Sequence, residues 1–81
     1  RGRLDRDAEL SALAGFVLEA RKQKGSAYDA YWRSVRRARG FRDRVLEAVV
    51  LRKLAGLHRE WGHGTRASEL EARANSLEAS R

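Results

Sequence analysis

VLEAVVLRKLAGL, residues 45–57, is the stretch whose reading decides the fold. Within it Leu46, Val50, Leu54 and Leu57 follow one another at spacings of four and three, and Trp61 extends the row by one more turn. That period belongs to one face of an α-helix, because a half-buried strand would alternate at every second residue. Val45, Val49 and the side-chain-free Gly56 make a second apolar strip, about a third of a turn away. Two strips on one helix predict either a central place among other helices or a surface kept for a neighbouring protein.

The flanking sequence supports an all-α reading. The 81 residues include no Pro, no Cys and no Met, so only the seven Gly interrupt a chain rich in Ala, Leu and Arg, all good helix formers. Upstream, a helix is predicted from about Asp5 to Lys24, with Asp5 or Asp7 as N-cap, Leu10, Leu13 and Val17 in its apolar stripe, and Gly25 as the left-handed residue after its end. Ser26 is expected to cap a second helix that turns Tyr28, Tyr31, Trp32 and Val35 to the core and breaks at Gly40. The third helix runs from about Phe41 to Trp61. Downstream, Thr65 is expected to cap a fourth, with Ala67, Leu70, Ala74 and Leu77 as a narrow stripe and Glu69 paired with Arg73 at i,i+4.

The expected architecture is a basic three-helix bundle over residues 1–64 with a short, peripheral or partner-ordered C-terminal helix over 65–81, and no internal repeat is evident. Its core is expected from Leu10, Leu13, Val17, Tyr28, Trp32, Val35, Leu46, Val50, Leu54, Leu57 and Trp61.

Little in the chain points to catalysis. Without Cys there is neither a disulfide framework nor a thiolate metal site, which points to an intracellular protein. His58 and His63 are five apart with no converging carboxylate pair, the wrong spacing for an HExxH zinc site. The Gly residues are scattered rather than gathered in a phosphate loop, and no Ser, His and acid arrangement is signalled by spacing. The expectation is a non-enzymatic chain with no metal and no cofactor. No apolar run approaches the length of a membrane span, and Asp5 and Asp7 fall where a cleavable transit segment avoids acid, so a mature chain without a membrane span is expected.

Charge is the strongest signal. Of the net +7, residues 1–20 contribute −1, residues 21–44 contribute +7 and residues 45–81 contribute +1. The concentrated segment holds Arg33, Arg36, Arg37, Arg39, Arg42 and Arg44, interleaved with the aromatic residues of the second helix. Arg favours planar, two-pronged contact with phosphate or carboxylate, so these six are the candidate contacts for an anionic partner. The plain alternative is a solvated helix face in a protein that uses Arg for Lys throughout.

The middle of the chain also resembles the LYR-motif family of small basic helical mitochondrial subunits and assembly factors. The residues that carry it are Ser26-Ala27-Tyr28, Tyr31, Val35-Arg36-Arg37 and Phe41-Arg42, followed by the Leu-rich third helix with Arg59. Where the Leu-Tyr-Arg tripeptide would stand, this chain has Leu13-Ala14-Gly15-Phe16. The resemblance implies a mitochondrial location, docking to an acidic acyl carrier protein or a neighbouring subunit of a respiratory or ribosomal assembly, and an acyl chain entering the bundle.

These readings lead to a non-catalytic helical subunit or adaptor of a larger assembly. It would dock through its Arg-rich face to an anionic macromolecule, first of all an acidic protein, and through Val45, Val49 and Gly56 to a neighbouring protein. The alternatives are an RNA-binding or ribosome-associated protein that uses the same arginines on phosphates, and a homo-oligomeric coiled coil built on helices three and four.

Overall fold

The computed structural model describes the backbone of residues 3–79 and the side chains of residues 6–79. The chain is all-helical: α1 (Arg3–Ala20), α2 (Lys24–Gly40), α3 (Arg44–Glu60) and α4 (Gly64–Ala79), with no strand among the described residues. No helix of the described residues is long and apolar enough to cross a membrane.

Three-residue turns at 21–23, 41–43 and 61–63 join the helices, so the backbone repeats every 20 residues although the side chains do not. The turns share one geometry. The second residue of each is left-handed: Lys22 (φ 65°), Arg42 (φ 58°) and Gly62 (φ 83°). The third donates its N–H back across the helix end in a Schellman bond, Gln23 to Leu18 O (2.9 Å), Asp43 to Ala38 O (2.8 Å) and His63 to His58 O (2.7 Å). The carbonyl of that third residue then accepts from Ala27, Glu47 or Ala67 at 3.0 Å, which starts the next helix. One residue both ends a helix and begins its successor, and such short connections make neighbouring helices antiparallel.

This geometry moves the expected helix boundaries. Gly25 and Gly40 lie inside α2, while Lys22 and Arg42 take the left-handed positions at a cost of about 1–2 kcal/mol each. Ser26 and Thr65 lie inside the helices they were expected to cap, and α1 begins ahead of Asp5 and Asp7. The N-cap of α3 is Asp43, whose carboxylate accepts from Leu46 N–H at 3.1 Å.

Packing is sequential, α1 on α2, α2 on α3 and α3 on α4, in an open layer measuring 37 × 29 × 14 Å. The layer includes all four helices, where a three-helix bundle with a peripheral fourth helix is the expectation from sequence. Ala67, Leu70, Ala74 and Leu77 of α4 belong to the same apolar cluster as Leu51, Leu54 and Leu57 of α3, so α4 is packed rather than standing apart. At its rim Arg52 forks onto Glu78 and also reaches Asn75, and Arg59 forks onto Glu71.

Tyr31, Val35, Val50, Leu51, Leu54 and Leu57 are fully buried, and Tyr28, Trp32 and Leu46 are half-buried against them. Four residues expected in the core are not there. Leu10, Leu13 and Val17 are each more than half exposed, because α1 turns its small residues Ala8, Ala12 and Gly15 toward α2. Ser34 of α2 donates to the Ala8 carbonyl at 2.8 Å, and a Cβ on Gly15 would stand 2.4 Å from the Tyr31 ring, so the two helices meet too closely for leucines between them. Trp61 lies one residue past α3, 41% exposed, against the rings of Tyr28 and His58.

Candidate anion-binding site

The turn between α2 and α3 sends Arg39, Arg42 and Arg44 into one neighbourhood, because the chain reverses there within three residues. Arg39 closes the last turn of α2, Arg42 occupies the turn and Arg44 opens α3. Arg73, from the middle of α4, joins them. The four guanidinium groups line an open pocket of about 290 Å³ whose remaining wall is Glu47, Ser76 and Leu77.

Glu47 organises this pocket. It sits in the first turn of α3, where a carboxylate suits the helix dipole, and it is 3% exposed. A buried carboxylate needs charged partners, and it takes them from the two flanking helices: Arg39 Nε at 2.8 Å from α2 and Arg73 Nε at 3.8 Å from α4. Among the described residues that line this concave surface, one acidic side chain, paired with Arg39 and Arg73, stands with four basic ones. Such a site can accept a carboxylate or phosphate group of a ligand through two-pronged contacts.

The six arginines singled out in the sequence do not form one face. Arg33, Arg36 and Arg37 are exposed on α2. Arg33 and Arg37 line a second, more open cleft against α1, in which Arg37 Nη1 lies 3.8 Å from Asp7. Arg39, Arg42 and Arg44 belong to the pocket around Glu47. Sequence spacing pairs Arg73 with Glu69, whereas in the structure Glu69 is bonded to Arg66 at 3.3 Å and Arg73 turns to Glu47. No local signal joins residues 47 and 73, which meet only when α4 folds back on α3.

The expected protein-contact strip is open. Val45 and Val49 are exposed on α3, Gly56 is half-buried, and Phe41 is exposed in the turn beside them. Phe41 and Val45 are neighbours of Arg42 and Arg44 in sequence, but the pocket around Glu47 is lined by the arginines and not by Phe41 or Val45.

The two histidines lie in an aromatic cluster. His58 Nδ1 stands 3.2 Å from His63 Nδ1, and its Nε2 stands 3.2 Å from the Tyr28 hydroxyl. Burial first, then the nearness of His63 and Arg66, pushes the His58 imidazole below its ordinary value. Tyr31 is pushed well up by burial and by the hydrogen bond that its hydroxyl donates to Glu19 at 2.6 Å. Among the described residues no group of three or more His, Cys, Asp or Glu is arranged to hold a metal ion.

No family model, no curated protein and no solved structure was found to match the chain.

Proposed function

We propose that the protein is a non-catalytic helical adaptor or subunit of a larger assembly that docks an acidic protein at the start of α3. The carrying observation is the pocket of Arg39, Arg42, Arg44 and Arg73 around the buried Glu47, with Val45 and Val49 exposed on another side of α3 and Phe41 exposed in the turn before it. Concentrated guanidinium groups suit a folded partner that presents carboxylates, and the exposed apolar side chains of α3 offer such a partner a second contact. Internal pairing with Glu47 holds Arg39 in place before a ligand arrives, which reduces the ordering cost of binding. The resemblance to the LYR-motif family would make that partner an acyl carrier protein or a neighbouring subunit in mitochondria.

Val49→Glu tests this reading. The side chain is exposed, so the substitution should leave monomer stability within about 0.5 kcal/mol of the parent while weakening capture of the acidic partner. An equal loss of both would return Val49 to a structural role.

A further inference from the structure

We infer that α1 is the contact surface for a second copy of this chain, paired antiparallel across a two-fold axis. Leu10, Leu13 and Val17 are 54%, 54% and 53% exposed, and Ala20 continues their spacing of three and four. That is the a and d seam of a two-stranded coiled coil, along a helix of about 27 Å. The seam cannot be turned inward. The opposite side of α1 is committed to α2 through Ala8, Ala12 and Gly15, with Ser34 bonded to the Ala8 carbonyl and Tyr31 over Gly15. The outer edge of the layer at α4 shows no comparable seam, since its exposed positions include Thr65, Ser68, Glu69 and Ser76.

Charge selects the occupant. Residues 1–20 carry a net −1 whereas the whole chain carries +7, so two copies meeting along α1 join their least basic segments, with Arg33 and Arg37 of α2 at the cleft beside Leu10 and Ala14. With Leu10, Leu13, Val17 and Ala20 at a and d positions, Asp7, Ala14 and Arg21 fall at e positions, and in an antiparallel pair e faces e. Asp7 of each copy, which lies 3.8 Å from Arg37 of its own chain, then also lies beside Arg21 of the other, and the small Ala14 residues cross near the axis. Arg21 keeps the helical bond of its N–H to Val17 O at 3.1 Å, so the heptad reaches it. A parallel pair would bring Phe16 to Arg21 instead and gain no ion pair. The antiparallel contact is isologous and closes at two copies. One helix pair is a small interface, so dissociation on dilution through the micromolar range is expected.

Sedimentation velocity from low micromolar to millimolar protein tests this. The mean mass of the parent should rise from one chain toward two. Leu13→Glu/Val17→Glu should stay at one chain throughout, with unchanged helicity and thermal midpoint because both side chains are exposed. Ala14→Cys, in a chain with no other thiol, should form a disulfide-linked dimer on mild oxidation. A parent that remains a single chain at millimolar concentration overturns the inference and leaves the seam to a different protein. A dimer that survives the double substitution, or an Ala14→Cys chain that does not cross-link, overturns it as well.

Discussion

Gly15 lies directly beneath the ring of Tyr31: a Cβ at residue 15 would stand 2.4 Å from both Cδ1 and Cε1 of that ring. The ring is also held from its far end by the hydroxyl bond to Glu19 and edged by Phe16 at 5.8 Å between centroids, so its withdrawal would strain or break that bond. Gly15→Ala should therefore cost about 1–3 kcal/mol, the usual penalty of overpacking, in spite of the better helix propensity of Ala. Gly56 is the control. It is inside α3 with nothing within 4 Å of an added Cβ, and Gly56→Ala should gain about 0.5–1 kcal/mol. Urea denaturation of the two variants should give shifts of opposite sign.

The three turns allow a second comparison. Lys22 holds a left-handed backbone that only Gly adopts without cost, whereas the equivalent Gly62 meets the same demand freely. Lys22→Gly is expected to raise stability by up to about 1 kcal/mol and Gly62→Ala to lower it by about 1–2 kcal/mol. A chain destabilised by Lys22→Gly would show that the lysine side chain matters more than its backbone.

Core and surface leucines should separate sharply. Leu54 is fully buried, and Leu54→Ala is expected to cost about 2–5 kcal/mol. Leu13 is 54% exposed, and Leu13→Ala in dilute solution should change stability by less than about 0.5 kcal/mol. Thermal melts at low micromolar protein distinguish them.

Those leucines also show where sequence and structure part. The helical class and the buried row of Val50, Leu54 and Leu57 were legible, because α3 is apolar around much of its circumference and its period is regular. In α1 the same regular period misled. Leu10, Leu13 and Val17 form the more hydrophobic stripe, but close approach to α2 selects the side bearing Ala8, Ala12 and Gly15, and hydrophobicity alone does not register how near two backbones come. Glycines misled about the turns for a related reason. The Schellman geometry fixes the left-handed residue by its place after the helix, and Lys and Arg stand at two of those places. The basic segment was visible from composition, yet its division into two surfaces and its link to Arg73 depend on how α4 returns across α3.

Acid should weaken the end of α3. His58 faces Tyr28 from α2, His63 from the turn and Arg66 from α4, and its imidazole is held below its ordinary value of 6.5 by burial and by those positive neighbours. A depressed histidine costs nothing while both folded and unfolded forms are neutral. Below about pH 6.5 the unfolded chain takes up a proton that the folded chain resists, so stability falls as pH drops toward the folded value. Urea midpoints should be level from pH 8 to about 7 and decline below about 6.5, and His58→Leu should flatten that decline. Equal slopes in parent and variant would assign the acid sensitivity to other groups.

Docking of an acidic protein at the start of α3 depends on the arginines around Glu47. The most direct test is the affinity of the protein for an acidic amphipathic helical peptide and for a mixed-sequence single-stranded RNA, measured across salt in the parent, in Arg42→Glu/Arg44→Glu and in Arg33→Glu/Arg37→Glu. Docking of a protein partner predicts that the parent prefers the peptide and that its affinity declines gently with salt. It also predicts that Arg42→Glu/Arg44→Glu loses about tenfold or more while Arg33→Glu/Arg37→Glu loses less. Peptide binding by Arg42→Glu/Arg44→Glu as tight as the parent's, or a steep salt dependence on RNA governed by Arg33 and Arg37, would contradict it.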